Sequence, residues 1–126
     1  MKKEFISPKG VHEARGYSHA IRAGNMVFVS GQVGWDEQRK IASGDFEAQA
    51  VQAIENLKRV LEATGASLKD IVKLNTYLKD LKDLPKYREV RERYFKPPLP
   101  ASTLVQIVSL ASPELLIEIE AIAVIE

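Results

Sequence analysis

Residues 115–125 read LLIEIEAIAVI, and their parity divides them into two unequal sides. Ile117, Ile119, Ala121, Ala123 and Ile125 make one side apolar throughout. Leu116, Glu118, Glu120, Ile122 and Val124 make the other, in which two carboxylates are followed by two more apolar residues. A period of two is a strand. Its fully apolar side calls for a layer of helices. The apolar end of its other side calls for a further partner, which a chain with one helical layer cannot supply by itself.

Working outward, Ala111–Glu114 reads as a turn, and PLPASTLVQIVS at 98–109 as a proline-bracketed loop running into a second strand from Ala101. Pro98 and Pro100 lack the amide donor and hold the chain extended. Upstream of that loop, Leu84, Tyr87, Val90 and Tyr94 recur at helical spacing, predicting a helix over about Leu84–Phe95 with Asp83 near its start. IVKLNTYLK at 71–79 alternates, with Val72, Leu74, Thr76 and Leu78 on the core side, after a turn at Ser67–Asp70. The longest helix lies between Asp45, an N-cap, and Gly65, a C-cap, with Val51, Ile54, Leu57 and Leu61 inward. Trp35–Gly44 is loop. Ser18–Ala23, Gly24-Asn25 and Met26–Val33 form a hairpin, and Glu4–Ser7 is a short first strand. The order β-β-β-α-β-α-β-β predicts one α+β domain over 1–126: a mixed sheet of about six strands with two helices on one face. The sheet face left open points to a cyclic oligomer.

With 45% hydrophobic and 28% charged residues the composition is that of a globular protein. There is no cysteine, hence no disulfide, thiolate nucleophile or cysteine-bound metal. MKKEFISPKG holds no signal-peptide apolar run, and no segment is apolar enough to span a membrane. A formal charge of +1 disfavours a dedicated nucleic-acid binder.

Local chemistry leaves several readings open. Glu118 and Glu120 share a strand side. They are either solvated or held at a subunit interface, where desolvation would raise a carboxyl pKa and let it manage a proton. His12 and His19 show no metal-ligand spacing, and His19 reads as a hydrogen-bonding structural residue. Ser30-Gly31 in VSGQVG marks a bulge or turn. The basic run KYREVRERYFK is a solvated, ion-paired face, unless one arginine is aimed at an anion.

Four stretches together resemble the RidA/YjgF family of reactive intermediate deaminases, also known as L-PSP endoribonucleases: GYSHAIRAGNMVFVSGQVG, NLKRVLEATGASLKDIVKLNTYLKDL, PLPASTLVQI and IEIEAIAV. The resemblance runs from about Ile6 to Ile125. It implies a chorismate-mutase-like fold and a cytoplasmic homotrimer with small-molecule sites in clefts between subunits. The implied activity is hydrolysis of enamines and imines to a 2-oxo acid and ammonia, without metal or cofactor. By position it puts the family tyrosine on Tyr17, the family serine on Ser30 with Gly31 beside it, and the water-orienting glutamate on Glu120. Ser102 stands where the deaminases carry the arginine that grips the substrate carboxylate. Leu104 replaces the family cysteine, and Arg88 a site asparagine. The resemblance therefore implies an arginine-less branch with weak or absent activity on 2-iminobutanoate and 2-iminopropanoate. In it Ser102 hydrogen-bonds the ligand and Arg88 is a candidate substitute for the lost charge. Two other readings stay open, a non-catalytic ligand-binding protein and a ribonuclease.

Overall fold

The computed structural model describes residues 1–126. Six strands, β1 (Lys3–Ile6), β2 (Ala20–Ala23), β3 (Met26–Val33), β4 (Ile71–Leu78), β5 (Ala101–Gln106) and β6 (Ile117–Val124), form one sheet in the order β1-β2-β3-β6-β4-β5. Only β4 and β5 run parallel. Two helices, α1 (Phe46–Thr64) and α2 (Leu84–Tyr94), complete the chain with two single 3-10 turns. The expected α+β order is the observed one. No helix is long and apolar enough to cross a membrane.

The α1 caps form as the sequence predicts. The Asp45 side chain accepts from the Ala48 amide at 3.0 Å, and Gly65 closes the helix in the left-handed region. The buried stripe is broader than Val51, Ile54, Leu57 and Leu61. Val51 is half-buried, and Ala50, Ala53 and Val60 take the inner positions. They pack on Val27 and Val29 of β3 and on Ile119, Ala121 and Ala123 of β6 in one core cluster. α2 seats Tyr87 and Val90 in the same core, and the Tyr87 hydroxyl is 2.9 Å from Thr76 Oγ1. In β4 a register shift between Ile71 and Lys73 buries Ile71 and turns Val72 outward, so Val72 is not a core residue.

The strand ends differ by one to two residues from the predicted ones. β6 begins at Ile117 because the Leu116 backbone is already committed: its amide donates to Gln49 Oε1, and its carbonyl accepts from Lys79 N. Both helices lie on the face that carries Ile117, Ile119, Ala121 and Ala123. The opposite face stays open. One register row crosses it through Phe5, Ile21, Phe28 and Ile122, and Phe5 is 67% exposed.

Candidate functional site

The site is built around an irregularity in β3. Val29 pairs with Ala121 and Gln32 with Ile119, so Ser30 and Gly31 together oppose the single residue Glu120. That is a β-bulge, which re-aims side chains near it. Ser30 is tied back to the preceding loop. Its amide donates to His19 O at 2.9 Å and its hydroxyl to Ser18 O at 2.6 Å. At Gly31 a Cβ would fall 2.6 Å from the Glu118 carboxyl carbon, so only glycine lets that carboxyl lie against the backbone. Glu118 is half-buried. Desolvation, with the negative charge of Glu120 adding to it, raises its pKa above the usual carboxylate range.

Glu118 shares a cleft of about 430 Å³ with Tyr17, Ser30, Gly31, His12, Trp35, Arg15 and Arg39. Tyr17 Oη lies 3.3 Å from His12 Nε2. Burial raises the Tyr17 pKa, with Arg39 opposing and Glu118 adding to the effect. His19 is structural: its Nε2 donates to His12 O at 2.7 Å, and its Nδ1 accepts from Gln32 Nε2 at 3.1 Å. His12 is buried, packs edge-on against His19 and Trp35, and has its pKa lowered to about 4, chiefly by desolvation. It is therefore neutral at pH 7. No three His, Asp or Glu side chains converge to hold a metal ion.

The predicted site residues separate into two groups. Tyr17, Ser30 and Gly31 come together, and the carboxylate that joins them is Glu118. Glu120 lies outside the cleft lining, pairs across β4 with Asn75, and accepts a hydrogen bond from the Tyr77 hydroxyl. That bond is the main cause of the raised Tyr77 pKa. Both glutamates lie on the same strand side, so alternation cannot separate them; in a single chain only Glu118 lines the cleft.

Ser102 and Leu104 lie elsewhere. They pair with Leu74 and Thr76 and so share the helix face, opposite to Glu118. β5 is three strand spacings from β3, roughly 14 Å. Arg88 is exposed on α2 and makes no ion pair; Glu92 does not partner it. Within one chain, Ser102, Leu104 and Arg88 cannot meet the Glu118 cleft. His12, Arg15, Trp35 and Arg39 were not legible as site residues, because they come from loops with no periodicity to place them.

Residues 9–125 match the family model described as Endoribonuclease L-PSP. The chain is 45% identical to a RutC family protein of Pyrococcus abyssi, covering 98% of each. It is 37% identical to a 2-iminobutanoate/2-iminopropanoate deaminase of Dermatophagoides farinae, covering 99% of this chain and 98% of that one. Among solved structures, RidA from an Antarctic Psychrobacter superposes with a TM-score of 0.89 at 38% identity, over 96% of this chain and 98% of that one. With the family model matched over residues 9–125 and relatives of 37–45% identity covered almost end to end, the chain belongs to the RidA/YjgF family.

Proposed function

We propose that this protein hydrolyses small imines or enamines to a carbonyl compound and ammonia, with Glu118 as the proton-handling group. The observation that carries this is the Glu118 carboxyl, half-buried against Gly31 in one cleft with Tyr17 and Ser30. The deaminase name of the Dermatophagoides relative supports it. In the reaction the Glu118 carboxylate takes a proton from water as the water oxygen bonds to the C=N carbon, giving a carbinolamine. Nitrogen receives that proton, which completes the neutral carbinolamine; the carboxylate then carries the hydroxyl proton to nitrogen, the C–N bond breaks, and ammonia leaves as the carbonyl forms. A carboxyl with a raised pKa suits both directions of that transfer.

The second half of the site, Ser102, Leu104 and Arg88, then belongs to a neighbouring copy in a homotrimer that covers the open sheet face. Ser102 offers one neutral hydrogen bond where a guanidinium would offer two charge-assisted ones. Losing such a partner in a desolvated cleft costs about 2–5 kcal/mol, so hydrolysis of 2-iminobutanoate and 2-iminopropanoate is expected to be weak or absent. The test couples a threonine dehydratase to this protein and follows 2-oxo acid and ammonia release against buffer, with a panel of other imines alongside. Hydrolysis of at least one imine is expected. Ligand binding without ammonia release from any of them would replace the enzyme by a binding protein.

A further inference from the structure

One loop of the cleft is held more firmly than its irregular backbone requires. Between Ser7 and Tyr17 no strand or helix forms, yet four hydrogen bonds from outside converge on it. The His19 amide donates to Ser7 Oγ at 3.2 Å, Arg59 Nη1 to Gly10 O at 3.3 Å, His19 Nε2 to His12 O at 2.7 Å and Arg39 Nη2 to Glu13 O at 2.8 Å. Only Val11 and His12 of this stretch are buried, and Val11 belongs to the core cluster. The His12 ring instead packs edge-on against those of His19 and Trp35, and its one side-chain hydrogen bond joins Nε2 to Tyr17 Oη at 3.3 Å. Nδ1 is buried without a partner. That lone nitrogen decides which side donates. A neutral imidazole carries one N–H. On Nδ1 it would be a buried donor with no acceptor, the rarer kind of orphan in folded proteins. On Nε2 it is met by Tyr17 Oη, and Nδ1 keeps only an unused lone pair.

We propose that His12 is a positioning residue for Tyr17: it donates from Nε2 to the Tyr17 oxygen and so commits the Tyr17 hydroxyl proton to an acceptor atom of a ligand in the cleft. A phenol both donates and accepts. With its oxygen accepting from His12, its own proton is free for the cleft that Tyr17 lines. In the reverse arrangement His12 would take up that proton, and the hydroxyl could only accept from a ligand. The direction of one hydrogen bond therefore sets which ligand atoms Tyr17 recognises, carbonyl oxygens and imine nitrogens rather than N–H groups. That the acceptor is an imine nitrogen rests on the function proposed above; the direction of the His12–Tyr17 bond does not.

The direction is read on the intact protein from its imidazole nitrogen-15 shifts at neutral pH. The chain has two histidines, and both are expected in the Nε2–H form. His19 is the internal reference, because its Nε2 faces a backbone carbonyl that can only accept. A His12 proton on Nδ1 overturns the proposal. Kinetics on the best imine found is the second arm. Tyr17→Phe and His12→Leu are each expected to lower kcat/KM about fivefold or more, with the double variant no slower than Tyr17→Phe alone. His12→Gln, whose amide can donate in place of Nε2, is expected to keep most of the rate. Losses that multiply in the double variant overturn the proposal, as does a His12→Leu variant as fast as wild type. Melting curves verify that each variant is folded, and where one is not, the wild-type tautomer decides. If both histidines are Nε2–H but no imine is hydrolysed, the His12–Tyr17 bond stands and the hydrolase falls. If hydrolysis proceeds with His12 protonated on Nδ1, the positioning falls and the hydrolase stands.

Discussion

Two residues of β6 separate a carboxyl beside the bulge from one tied to Tyr77, and titration should tell them apart. Burial and the neighbouring Glu120 charge both raise the Glu118 pKa. A reaction using Glu118 as base should therefore lose rate on the acid side at a pH above that of an ordinary carboxylate. Glu120→Gln removes the repulsion and should move that limb to lower pH; an unmoved limb would mean that another group sets it. His12 supplies a second pH dependence, in stability. Its folded pKa of about 4 lies below its ordinary 6.5, so between those values the unfolded chain binds more protons than the folded one. Stability is then full above about pH 6.5 and falls as the pH drops toward 4. Melting temperatures across that window should fall in the wild type and fall less steeply in His12→Gln. Equal slopes would place the acid sensitivity elsewhere.

At the level of elements, the contact between β3 and α1 is the least forgiving. A Cβ at Gly34 would sit 2.8 Å from Gln49 Cβ and 2.9 Å from Gln49 Cα. Gln49 in turn holds Ala42 O, Glu114 O and Leu116 N, each at 2.9–3.1 Å. Gly34→Ala is thus expected to destabilise by about 2 kcal/mol, measured by urea unfolding, because backbone and not a flexible tip must give way. The strands and helices themselves were legible, since period and caps are local: Asp45, Gly65 and the alternation in β6 placed their elements. The bulge was legible as Ser30-Gly31. Its place in the register was not, because a register shift shows only when the partner strand is present; the lining of the single-chain cleft, which includes Glu118 and not Glu120, is likewise a property of the assembled sheet. Parity also put Ser102 and Leu104 on one side of β5 without saying which side of the sheet that was. Arg39 and Trp35 sit in irregular backbone, where no repeat carries information about direction.

For the whole molecule, the two-sided apolar character of β6 raises the expectation of a partner. The open face, with Phe5, Phe28 and Ile122 in one row, is where the partner is expected. Sedimentation equilibrium should give a trimer for the wild type and a smaller species for Phe28→Glu, whose charge would have to be desolvated in the interface. A stable wild-type monomer at micromolar concentration would contradict the shared site. The proposed hydrolysis depends most on the identity of the carboxylate. Its most direct test is the steady-state rate of imine hydrolysis by wild type, Glu118→Gln and Glu120→Gln, on the best imine found and at matched assembly state. Glu118→Gln should lose about 100-fold or more while Glu120→Gln keeps most of the rate. A Glu118→Gln variant as fast as wild type, or a loss confined to Glu120→Gln, would contradict the account.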